Sequence, residues 1–136
     1  MNIYFDIDGV LIGTKSPQKD IVKLIKYILK CYPDSTYWLT SHCKGGTNRC
    51  AEWLRQSDLP GDLVDEMDSI IKATDWGVMK TEAIDMNSDF VWFDDSLFEV
   101  ERQALEAHRA LGSFYRMDPK NPKSAKMALE YLKSLV

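Results

Sequence analysis

Asn2-Ile3-Tyr4-Phe5-Asp6-Ile7-Asp8-Gly9-Val10 is the stretch on which the fold turns. Its first half is apolar, with β-branched and aromatic side chains suited to a buried strand, and it leads into two carboxylates at alternate positions. Residues i and i+2 of a strand share a face, so a strand over Asn2–Ile7 aims Asp6 and Asp8 at one point beyond its carboxyl end. Phe90-Val91-Trp92-Phe93 ends likewise, running straight into Asp94-Asp95. Open α/β sheets bind ligands at that edge, beside the point where strand order reverses. If the two strands are neighbours, four carboxylates share one crevice, each raising the pKa of the next. A hard divalent cation, Mg²⁺ first, is the economical counter-charge: it takes one or two carboxylates and keeps its other positions for water and phosphate.

Outward from these stretches, short apolar runs alternate with amphipathic ones, the mark of βα units around a parallel sheet. Five strands are expected, at Asn2–Ile7, Ser35–Leu39, Ser69–Ala73, Asp89–Phe93 and Ser113–Met117. Ile21, Leu24, Ile25, Ile28 and Leu29 keep helical spacing, with Ser16 as N-cap and Pro17 as the first helical residue. Leu97, Val100, Ala104 and Leu111 predict a helix after the fourth strand. Met127, Ala128, Tyr131, Leu132 and Leu135 predict another after the turn at Asp118-Pro119-Lys120-Asn121-Pro122. Shorter helices are expected near Thr47–Gln56 and Met79–Asp85. The expected fold is α/β, a three-layer, doubly wound parallel sheet of five strands, in a single domain over residues 1–136.

The 136 residues suit one domain, since compact domains mostly run to about 100–200 residues. Seventeen Lys and Arg against 21 Asp and Glu leave a net charge of −4, which argues against a chain-wide footprint for nucleic acid or anionic membrane and leaves room only for a local basic patch. Apolar residues at 45% and charged ones at 28% exclude disordered, collagenous and coiled-coil chains. No apolar run approaches the roughly 18–20 residues that cross a bilayer. The N-terminus lacks the basic and apolar regions of a secretory signal. Cys31, Cys43 and Cys50 form no CxxC pair and fit reduced thiols, so the expectation is a soluble, cytoplasmic protein. His42, Cys43 and Cys50 match no standard zinc spacing. An EF-hand is excluded because Pro17 stands where the loop from Asp6 needs Glu. Trp38, Trp53, Trp76 and Trp92 are expected in the core, with Trp76 near enough to the lysine loop to face a substrate.

The run Tyr37-Trp38-Leu39-Thr40-Ser41-His42 brings a hydroxyl to the same sheet edge, and Lys80 precedes the fourth strand. Carboxylates, a hydroxyl and an ammonium are the groups that hold a phosphoryl moiety. The ordered set Asp6-x-Asp8-Gly9-Val10, Thr40, Lys80 and Asp94-Asp95, spanning positions 2 to about 96, resembles the four motifs of the haloacid dehalogenase-like (HAD) phosphohydrolases. Asp75-Trp76 before the lysine and Trp92 before the acidic pair are similar also to small HAD domains of RNA-repair proteins.

The resemblance implies strand order 5-4-1-2-3 and a capless site, since no segment is long enough for an inserted cap. It implies that Asp6 is the nucleophile, forming an aspartyl-phosphate, and that Asp8 is the general acid and then base. Thr40, or Ser41 one residue on, would bind phosphoryl oxygens, and Lys80 would steady the nucleophile, with Lys72 as its substitute. Asp94 and Asp95 would hold Mg²⁺ together with the Asp6 side chain and the Asp8 backbone carbonyl. The implied activity is a Mg²⁺-dependent phosphomonoesterase whose partner is a phosphorylated small molecule or polymer end. Lys44 and Arg49, in a glycine-containing loop that lacks the full P-loop pattern, are candidate contacts to substrate phosphate. A nucleic-acid-end phosphatase, a phospho-accepting receiver-like domain and a non-catalytic binding module are the alternatives, although a receiver would carry its acidic pair first rather than last.

Overall fold

The computed structural model describes residues 1–13 and 16–136 of the chain. Four parallel strands form the sheet: β1 (Asn2–Phe5), β2 (Thr36–Trp38), β3 (Phe90–Asp94) and β4 (Phe114–Arg116), in the order β2-β1-β3-β4. Period-two alternation sends Ile3, Phe5, Trp38, Val91 and Phe93 to one face and Tyr4, Leu39, Phe90 and Trp92 to the other. Both faces are covered, which is why these strands read as continuous apolar runs.

Helices α1 (Ile21–Cys31), α2 (Cys50–Leu54), α3 (Gly61–Ile70) and α5 (Ser124–Ser134) bury their apolar residues in the first face, and Leu105 of α4 (Glu99–Ala107) packs on the second. All five residues of the expected α1 stripe are buried. The helix starts later than Ser16 and Pro17 predict, with Asp20 at its N-cap, because Pro17 bridges back to Ile12. Elsewhere the apolar stripes hold in part. Ala128 and Leu132 of the expected stripe are buried, but Val100, Met127 and Leu135 are exposed, while Glu101 and Ala125, outside the stripes, lie inside.

The expected strand at Ser69–Ala73 is not formed. Ser69 and Ile70 end α3, and the chain beyond makes a single parallel bridge, Lys72 to Tyr37, in which Trp38 N–H donates to Lys72 C=O at 2.8 Å and Lys72 N–H to Thr36 C=O at 3.0 Å. Tertiary packing of Leu63, Val64 and Met67 onto the sheet carries the helix through residues whose local sequence suits a strand. The segment between β2 and β3 shares the sheet's own core through Leu54, Leu63, Val64 and Met67 and builds no separate unit. No helix among the described residues is long and apolar enough to cross a membrane.

Candidate functional site

Register decides which acids meet. Phe5 pairs with Phe93, and Asp6 N–H extends the ladder by donating to Phe93 C=O at 3.1 Å, so Asp6 and Asp94 are lateral neighbours at the ends of adjacent strands. One oxygen each of Asp6, Asp94 and Asp95 lie within 4.8 Å of one another. The Lys80 ammonium reaches in between, 2.9 Å from Asp6 Oδ2 and 2.7 Å from Asp94 Oδ2. Backbone donors hold the other oxygens: Ile7 N–H donates to Asp6 Oδ1 at 2.7 Å, and Asp95 N–H to Asp94 Oδ1 at 2.8 Å. Both carboxylates are therefore aimed by the main chain rather than by free rotation.

Charge balance in this pocket is uneven. Asp94 is only 1% exposed, and burial pushes its carboxyl up to about 7, with the Asp6 charge adding to the rise and Lys80 opposing it. Burial alone would pull the Lys80 ammonium down, but Asp6 and Asp94 outweigh it and hold the group above its ordinary value. Once Asp94 is ionised, Asp6, Asp94 and Asp95 outnumber the single Lys80 ammonium and leave the pocket short of positive charge. Three oxygen donors converging on one point, with a fixed ammonium at their side, fit a hard cation such as Mg²⁺.

Gly9 lets Asp95 close the group. It adopts φ +79°, and a Cβ at this position would collide with the Asp95 carboxylate. Asp95 is not an N-cap, since α4 starts at Glu99 after Phe98.

Asp8 goes elsewhere. β1 stops at Phe5, and the N–H groups of Val10, Leu11 and Ile12 converge on Ile7 C=O in a turn, so the i, i+2 rule no longer applies to Asp6 and Asp8. The Asp8 side chain, 53% exposed, lies 2.9 Å from His42 Nε2 through Oδ2 and accepts from Trp53 Nε1–H through Oδ1 at 3.3 Å. Its carboxylate is outside the Asp6, Asp94 and Asp95 group.

Thr40 is enclosed, and its hydroxyl oxygen accepts from His42 N–H at 3.3 Å, capping a 3₁₀ turn that starts at Ser41. Ser41 itself is exposed, as are Lys44 and Arg49 on the segment that follows. Lys44 Nζ lies 4.7 Å over the Trp76 ring, whose Nε1–H donates to Thr40 C=O at 3.3 Å. Lys72 is spent elsewhere, donating to Asp34 C=O at 2.9 Å. The carboxylates are thus met by Lys80. Sequence reasoning missed Glu101, a buried carboxylate that accepts from Lys80 N–H at 3.0 Å and from Phe98 N–H at 3.1 Å. A Glu in the first turn of a helix signals a cap, and nothing in the linear pattern ties it to Lys80. Trp53, expected in the core, is instead 41% exposed beside Asp8.

No family model, curated protein or solved structure matches the chain. Two strand ends present carboxylates to a shared point, an ammonium holds them, and the adjoining turn carries hydroxyls and cations.

Proposed function

We propose that the protein is a Mg²⁺-dependent phosphomonoesterase of the haloacid dehalogenase-like type with Asp6 as its nucleophile. The observation that carries this reading is Lys80 seated between Asp6 and Asp94, because it joins three separate motifs of the resemblance at one point. The sheet supports it too. The four strands run β2-β1-β3-β4, an order compatible with four of the five strands that the resemblance implies.

Asp6, Asp94 and Asp95 would hold Mg²⁺ through side-chain oxygens, with the Asp8 backbone carbonyl as the further ligand the resemblance implies. When bound, Mg²⁺ supplies positive charge against the phosphoryl oxygens and so eases approach of an anionic ester to an anionic nucleophile. An Asp6 carboxylate oxygen attacks phosphorus, and the bond to the leaving oxygen breaks as Asp8 gives that oxygen its proton. Asp8, now ionised, takes a proton from the water that splits the aspartyl-phosphate and releases inorganic phosphate. Lys80 holds the Asp6 carboxylate in place and offsets charge on the transferring group. Of the two candidate hydroxyls, the exposed Ser41 is the more accessible to a phosphoryl oxygen, with Thr40 shaping the turn that presents it.

Release of phosphate from an aryl phosphate with Mg²⁺ tests the proposal. Asp6→Asn should lower the rate by about a thousandfold or more. An unchanged rate overturns the assignment, and a stable phosphorylated Asp6 without turnover would point instead to a phospho-accepting module.

A further inference from the structure

One ring pair beside the site is left over from this chemistry. Cys50 and Leu54, the flanking buried residues of α2, are fully enclosed, whereas Trp53 is 41% exposed. A tryptophan left open to solvent forgoes much of the burial that would stabilise the fold. Its indole is stacked on the His42 imidazole, with centroids 4.8 Å apart and planes at 24°. Both rings turn a polar edge to the same carboxylate, Asp8, at 2.9 Å from His42 and 3.3 Å from Trp53. The stack therefore adjoins the group that would protonate the leaving oxygen, and the exposed Trp53 indole stands open beside whatever that oxygen carries. Lys44 and Arg49, both exposed, are carried on the segment between His42 and Trp53.

We propose that His42 and Trp53 form the leaving-group subsite and that it takes a nucleobase, making the substrates nucleotides, free or at a nucleic-acid end. This rests on the reading of Asp8 as general acid. A base extends an existing two-ring stack, and stacking on aromatic side chains tolerates any base because each has a π-face. At a nucleic-acid end, which carries further phosphates beside the base, the two cations on the same segment would add to binding; a lone phosphorylated aryl side chain offers them no such group. The net charge of −4 is no obstacle, since the recognition is local.

The test compares adenosine monophosphate with ribose phosphate, the same ester without the base, in the presence of Mg²⁺. Wild type should favour the nucleotide in kcat/KM by about tenfold or more. Trp53→Phe keeps a ring and should keep most of that preference, whereas Trp53→Leu should bring the ratio close to one. Because the readout is a ratio, a general loss of activity in either variant does not move it. A wild-type ratio near one, or the same ratio in Trp53→Phe and Trp53→Leu, overturns the subsite. Calorimetric titration with the same two compounds separates this from the wider reading. Preferential binding of the nucleotide with no phosphate released would overturn the phosphatase and retain the subsite, and equal binding would overturn the subsite whatever the turnover. A terminally phosphorylated oligonucleotide turned over faster than the mononucleotide, with the advantage falling as salt rises, assigns Lys44 and Arg49 to a polymer. Equal turnover confines the substrate to the mononucleotide.

Discussion

Lys80 is the residue through which the candidate site holds together, since it is the positive charge between Asp6 and Asp94. Removing one member of a largely enclosed ion cluster leaves like charges facing each other, at a cost of about 3–5 kcal/mol. Lys80→Met should therefore lower the melting temperature in the absence of metal, and added Mg²⁺ should recover part of the loss. Recovery absent by calorimetry would argue against a cation site among these aspartates. Asp94 sets the pH dependence. Its folded pKa, raised to about 7 by burial and by Asp6, lies above the ordinary 3.8, so the native state retains a proton that the unfolded chain has released between those values. The contribution of this group to stability accordingly falls as pH rises from about 4 to about 7, and Mg²⁺ must displace that proton to bind. Thermal melts should show a larger Mg²⁺ stabilisation at about pH 8 than at about pH 5, and equal shifts at both would count against Asp94 as a ligand. The pairing of these acids was legible in the linear order of motifs. The direction of Asp8 was not, because it depends on β1 ending at Phe5 before the first acid.

Two short elements owe their placement to carboxylates that ordinary pattern reading treats as surface. Glu82 gathers the N–H groups of Gly77, Val78 and Met79 ahead of the 3₁₀ turn at Lys80–Ala83, and those donors, Met79 first, hold its carboxyl below the usual range. Glu101 does the longer-range work, tying that turn to the start of α4 through Lys80 and Phe98. Glu101→Ala leaves two N–H groups without this acceptor, at about 1–3 kcal/mol each where they stay buried. It should also lower kcat by loosening Lys80, while Glu101→Gln, which retains one acceptor oxygen, should fall between the two. A drop in melting temperature with kcat unchanged would reduce Glu101 to a purely structural tie. The segment at Ser69–Ala73 shows the limit of local signals in the opposite sense. Its Ile70 and Ile71 suit a strand, yet the contacts of Leu63, Val64 and Met67 continue α3 to Ile70 and leave one bridge at Lys72.

Across the molecule, the α1 and α5 side of the sheet forms a large apolar layer, and the site sits at the carboxyl edge where β1 and β3 end. Leu132 of α5 is fully buried in that layer and is not among the site residues. Leu132→Ala should cost about 2–5 kcal/mol by denaturant unfolding with turnover per folded molecule unchanged, and a proportionate loss of kcat would show that core and site are coupled. The α/β class, the buried stripe of α1 and the convergence of two acidic strand ends were all present in the amino-acid pattern. Each rests on local periodicity, or on apolar runs that have no other stable use than a covered parallel sheet. Which carboxylates share the pocket, where Asp8 turns, and why Trp53 stands open beside it were settled by strand register and by helices packing from distant parts of the chain. Those are long-range choices between near-equal local alternatives, and no stretch of sequence contains both partners of the contact that decides them.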